Sequence, residues 1–138
     1  MKIYNLNLKS NIILGSSRYP SPKVFRNCIK KSGANMITVA VRRLVPGSED
    51  FLKVIRKTKC HVLPNTAGCY SVDEAVTTAE MARELFQTDL IKLEVIEDSK
   101  TLKPSMKGTI KATEILLNKG FKVLPYVTDN LKFAKSMD

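Results

Sequence analysis

The sequence has no tryptophan, a single histidine and three cysteines, and it never strings together more than a few apolar residues. Each shortage removes a class of function. The longest apolar runs, such as Ile12-Ile13-Leu14, fall far short of the ~20 residues that cross a bilayer. Polar residues also break up the stretch behind Met1, so neither a membrane span nor a secretory leader is expected. Cys28, Cys60 and Cys69 are odd in number and form no Cys-x-x-Cys pair, which fits free thiols in a reducing compartment and a cytoplasmic location. His61, the lone histidine, offers no ligand set for zinc. There is no Gly-x-Gly-x-x-Gly fingerprint and no Walker loop, so no cofactor is expected. The net charge of +10 raises the prospect of a nucleic acid. However, the lysines are scattered from Lys2 to Lys135 and no tryptophan interleaves them as a stacking platform, so no nucleic-acid partner is expected. A basic binding module is kept as the non-enzymatic alternative, with steep salt-dependent binding as its signature.

What is present is a regular alternation. The chain has 138 residues, 43% of them hydrophobic and 26% charged, the profile of one domain with a real core. Five β-like runs, at 12–15, 36–41, 61–65, 90–95 and 122–127, have centres about 24 to 32 residues apart, with helical patterns between them. Ser21 and Pro22 start the first helix, Val24, Phe25, Cys28 and Ile29 form its apolar face, and Gly33 stops it. Ser71-Val72-Asp73-Glu74 reads as a capping box, followed by Ala75, Val76, Ala79, Ala82, Leu85 and Phe86 at helical spacing. A further helix runs to Lys119 with Ala112, Ile115 and Leu116 inward and Gly120 as its stop, and a shorter one covers 51–57. Repeated βα units imply an α/β fold with a parallel sheet. A (β/α)8 barrel takes about 250 residues, so residues 1–138 are expected to form a single incomplete barrel domain of about five units. The chain would then end inside a fifth helix over 131–138, without the later strands and phosphate-binding loops. A complete five-stranded doubly wound domain is the alternative.

The run Leu90-Ile91-Lys92-Leu93-Glu94-Val95 is the one that points to chemistry. Side chains alternate along a strand, so Ile91, Leu93 and Val95 share one face and Lys92 and Glu94 the other. One reading is a solvated edge strand carrying an ion pair. The other is an imine-forming lysine with a carboxylate beside it to move protons. Imine formation needs a neutral amine, which desolvation favours and a charged carboxylate opposes.

Three segments carry a family resemblance: Leu63-Pro64-Asn65-Thr66-Ala67-Gly68-Cys69, Ile91-Lys92-Leu93-Glu94-Val95-Ile96 and Val123-Leu124-Pro125-Tyr126. In order and spacing the chain resembles bacterial thiazole synthase from Leu14-Gly15 to Thr128-Asp129, over the first five units of that enzyme. The resemblance implies a (β/α)8 barrel in which a strand lysine, here Lys92, forms an imine with 1-deoxy-D-xylulose 5-phosphate. Glu94 then corresponds to one of the acid/base groups. Sulphur would come from the C-terminal thiocarboxylate of a small sulphur carrier protein and the remaining atoms from dehydroglycine, yielding thiazole phosphate for thiamine diphosphate. The same resemblance implies a homo-oligomer at full length. The chain departs from the family pattern at Glu97, at Gly15-Ser16-Ser17 and at Asn130, where glycine, Gly-Thr-Gly and aspartate are usual. Another imine-forming barrel, such as a class I aldolase, is the second enzymatic reading.

Other residues invite weaker readings. Arg42 and Arg43 close the second strand, and Arg42 shares a face with Thr38 and Ala40, so it is either an anion contact or a structural ion pair. Cys69 reads as loop packing and His61 as a structural residue. Asp129 suits a catalytic rim or a helix cap, and Asp73 and Glu74 suit a first helical turn.

Overall fold

The computed structural model describes residues 1–44 and 46–135. The chain opens with a hairpin, β1 (Lys2–Ile3) and β2 (Leu6–Asn7), turned at Tyr4 with φ 50°. Alternating strands and helices follow: β3 (Ile13–Gly15), α1 (Pro22–Ser32), β4 (Met36–Ala40), a 3-10 turn (Val41–Arg43), α2 (Glu49–Lys57), β5 (His61–Asn65), α3 (Val72–Phe86) and β6 (Leu90–Leu93). A second hairpin, β7 (Ile96–Asp98) with β8 (Lys103–Pro104), precedes α4 (Met106–Asn118), β9 (Lys122–Pro125) and α5 (Leu131–Lys135).

Local chemistry explains the helix limits. Ser21 Oγ accepts the Val24 N–H at 3.3 Å, Pro22 opens α1, and Gly33 ends it at φ 65°, a left-handed conformation that glycine adopts without strain. In α3 the Ser71 hydroxyl accepts the Glu74 N–H at 3.2 Å, while the Glu74 carboxylate reaches back to the Tyr70 N–H at 2.7 Å. The box forms, with its return bond one residue earlier than the sequence pattern suggests. Ser105 caps α4 through the Gly108 N–H at 3.3 Å.

The five strands β3-β4-β5-β6-β9 lie in that order and pair in parallel throughout. Period-2 alternation divides their side chains. Ile37, Val39, Ile91, Leu93 and Val123 form the helix side, where they pack in two clusters against Phe25 of α1, Ile55 of α2, the alanines of α3, and Ala112 and Leu116 of α4. The opposite face carries Met36, Leu63 and Leu90, which meet Leu8 and the hairpin residues Ile3 and Leu6 near the N-terminal ends of the strands. The hairpin thus forms a floor on the face opposite α1–α4. Tyr4 OH donates to the Val123 carbonyl at 2.8 Å, and Lys122 Nζ donates to Asn5 Oδ1 at 3.1 Å, fastening that floor to β9.

An α/β fold with a parallel five-stranded sheet is what the strand spacing predicts. The sheet is open, however, and does not close into a barrel among the described residues. Helices on one face also set it apart from a doubly wound sheet, whose helices cover both. Strand 36–41 stops at Ala40 because Val41–Arg43 winds into a 3-10 turn, and 90–95 and 122–127 stop at Leu93 and Pro125. Val24, expected to face inward, is 38% exposed, and Phe25 anchors α1 instead. Of the helix expected over 131–138, Leu131–Lys135 is helical and 136–138 fall outside the described residues.

Candidate active site

β6 pairs with β5 on one side and β9 on the other. That position removes the edge-strand reading of Lys92 and Glu94. With Ile91 and Leu93 buried against the helices, Lys92 is turned to the open face, level with Asn65 of β5. Its Nζ lies 2.9 Å from Glu94 Oε1. The lysine side chain is 38% exposed and the glutamate 13%, so the carboxylate is sheltered while the amine remains reachable.

Glu94 lies one residue beyond the end of β6, and a side chain takes over the role of the ladder there. Thr66 Oγ1 accepts the Glu94 N–H at 2.7 Å and donates to the Glu94 carbonyl at 2.8 Å, while the Thr66 N–H donates to the Lys92 carbonyl at 3.2 Å. Thr66 is fully buried. Its hydroxyl satisfies two main-chain groups that would otherwise be left unpaired, and it fixes the backbone that aims Glu94 at Lys92. Sequence spacing alone does not show this residue's part, because its partner lies 28 positions away.

Lys92 stands between two hollows of different character. One, of about 210 Å³, is polar and is lined by Gly15, Ser16, Ser17, Thr38, Arg43 and Glu94 among others. The other, of about 470 Å³, is apolar, with Ile13, Leu63, Leu124 and Tyr126 on its walls. The Tyr126 ring centroid lies 5.6 Å from Nζ, at the outer range of a cation–π contact. A reachable amine with a carboxylate at hydrogen-bond distance can add to a carbonyl and then pass protons on the adjacent carbon.

The remaining candidates separate clearly. Arg42 does not face this site: its Nη1 donates to the Gly68 carbonyl at 2.8 Å and lies 3.3 Å from Glu74, so it is a structural ion pair. The 3-10 turn exchanges the roles of the two arginines, and Arg43 lines the polar hollow. Cys69 is buried with its sulphur 3.4 Å from Thr78 Oγ1, consistent with packing. His61 is exposed at the start of β5, away from the strand ends that carry Lys92. Asn130 caps α5 through the N–H groups of Lys132 and Phe133, so the cap expected at Asp129 lies one residue on.

Comparison with known proteins bears on this geometry. The family model described as "Thiazole biosynthesis protein ThiG" matches residues 2–138. A thiazole synthase of Rhodopseudomonas palustris (strain BisB5) is 47% identical over 137 residues, covering 97% of this chain and 53% of the relative. One from Gluconacetobacter diazotrophicus is 47% identical over 140 residues, covering 99% and 55%. The chain therefore spans about half the length of the curated relatives it matches. Among solved structures, the crystal structure of the Amycolatopsis orientalis BexX/CysO complex is similar with a TM-score of 0.78 at 20% identity, over 99% of this chain and 57% of that one. That likeness concerns the fold, whereas the family match extends over nearly the whole sequence, including the segments that carry Thr66, Lys92 and Glu94. The chain belongs to the thiazole biosynthesis protein ThiG family.

Proposed function

We propose that residues 1–138 form the first five units of a (β/α)8 barrel, a single incomplete domain of a cytoplasmic thiazole synthase acting in thiamine diphosphate biosynthesis. The packing of α1–α4 on one face and a lysine-bearing opposite face support the barrel reading. In barrels the catalytic groups sit at the C-terminal ends of the strands; Lys92 lies near that end of β6 and Glu94 just beyond it. The absence of a helix long and apolar enough to cross a membrane, among the described residues, is compatible with this reading.

The observation that carries it is the 2.9 Å Lys92–Glu94 pair on the open face. The neutral amine of Lys92 adds to the ketone of 1-deoxy-D-xylulose 5-phosphate. The carbinolamine loses water, and the iminium draws electrons from the neighbouring carbon. Glu94 takes the proton released from that carbon and can return it elsewhere, the work of a transferase that goes on to accept sulphur from a carrier protein's thiocarboxylate and the remaining atoms from dehydroglycine. A partnership with a sulphur carrier agrees with the solved relative, which is itself described as a BexX/CysO complex. The second acid/base carboxylate and the phosphate loops belong to the later units, and assembly into a homo-oligomer to the longer polypeptide.

Borohydride reduction in the presence of the pentulose phosphate tests this on a polypeptide that includes the remaining units. One covalent adduct is expected at Lys92, abolished in Lys92→Ala. An adduct that persists at one site in that variant overturns the assignment.

A further inference from the structure

We propose that Arg43 binds the carboxylate of the small nitrogen-bearing substrate, dehydroglycine, beside the Lys92 imine. The inference deepens the imine reading and rests on it. Simple strand alternation would give the inner face to Arg42, but the turn at Val41–Arg43 sends Arg42 to Gly68 and Glu74 and leaves Arg43 in the hollow that also holds Lys92 and Glu94. Among the described residues no side-chain hydrogen bond or ion pair holds Arg43, in contrast to its neighbour. A second hollow, of about 220 Å³, is lined by Arg43 as well, together with Arg18, Tyr19 and Phe51, so Arg43 borders both depressions.

Charge balance selects the ligand. Lys92 and Glu94 offset each other at 2.9 Å, and conversion of the amine to an iminium keeps that balance. Arg43 is then the uncompensated positive charge lining the polar hollow, matched there by one monoanion, while Arg18 lines only the adjoining hollow. A planar guanidinium engages a carboxylate through two parallel N–H bonds, a geometry that a lysine cannot reproduce. The hollow of about 210 Å³, walled by Gly15, Ser16 and Ser17, suits a molecule of a few heavy atoms.

The test uses Arg43→Gln and Arg43→Lys in the polypeptide that includes the remaining units, with dehydroglycine supplied as glyoxylate plus ammonia. Losing a charged hydrogen-bond pair should raise KM for this substrate about tenfold or more in Arg43→Gln, with partial recovery in Arg43→Lys. KM for the pentulose phosphate and borohydride trapping at Lys92 should be unchanged. A rise confined to the pentulose phosphate would assign Arg43 to the phosphate and overturn the proposal, as would no change for either substrate. To separate this from failure of the imine reading, the Arg43 Nε–H resonance is followed during titration with glycolate and, separately, inorganic phosphate. A shift with glycolate that survives in Lys92→Ala supports the arginine's role even where trapping fails, and a shift with phosphate alone overturns it.

Discussion

Thr66 shows how much of this site depends on a residue with no chemistry of its own. Its hydroxyl bridges the N–H and carbonyl of Glu94 from a fully buried position. Thr66→Val keeps the volume and removes both bonds, so the variant should lose about 1–3 kcal/mol of stability. It should also slow imine trapping, while Thr66→Ser should restore much of each. Equal denaturant midpoints and trapping rates in Val and Thr forms would show that Glu94 is held by something else. The Lys92–Glu94 pair itself was readable because a strand repeats every two residues, and that rule needs no knowledge of the neighbours. The arginines were not readable by the same rule: alternation assigns Arg42 to the inner face, and a turn that begins at Val41 reverses the assignment.

At the scale of elements, the helices and strands of ordinary length were legible from their capping serines, terminal glycines and apolar spacing. The two hairpins were not, since strands of two or three residues carry no period and depend on contacts made elsewhere. One helix packs with little room to spare against the residue that follows Glu94. A Cβ added at Gly108 of α4 would fall 2.9 Å from Val95 Cγ1 and 3.1 Å from Ser105 Oγ. Val95 is β-branched and stiff, so Gly108→Ala should cost about 1–3 kcal/mol through overpacking. Because Val95 follows Glu94, imine trapping should slow as well. Unchanged unfolding curves would mean that α4 shifts freely. The start of α3 makes a different forecast. The Tyr70 N–H, and after it the guanidinium of Arg42, hold the Glu74 carboxyl below its ordinary pKa. The folded chain therefore binds that proton more weakly than the unfolded one. The resulting stabilisation is present above the unfolded value of about 4.3 and is lost as pH falls through the lowered folded value. Glu74→Gln should flatten the acid side of the stability curve, read from urea midpoints across that range. An acid side as steep as in the parent would place the carboxylate's effect elsewhere.

For the molecule as a whole, the sheet among the described residues leaves β3 and β9 each with one unpaired edge, and much of its inner face is uncovered. Unpaired strand edges invite pairing with other chains. The 138 residues expressed alone should therefore self-associate, seen as concentration-dependent mass in sedimentation, and should show no thiazole formation. Measured turnover by a monomer of these residues would contradict both the barrel reading and the need for the later units. The N-terminal hairpin adds a constraint of timing. Its tyrosine, Tyr4, is fastened to Val123, 119 positions later. At about 5–20 residues per second on the ribosome, the hairpin residues wait on the order of ten seconds before β9 exists. The hairpin can meet Met36, Leu63 and Leu90 earlier, but its ties to β9 close late, and through that interval Ile3, Leu6 and Leu8 lack the strand to which the hairpin is fastened.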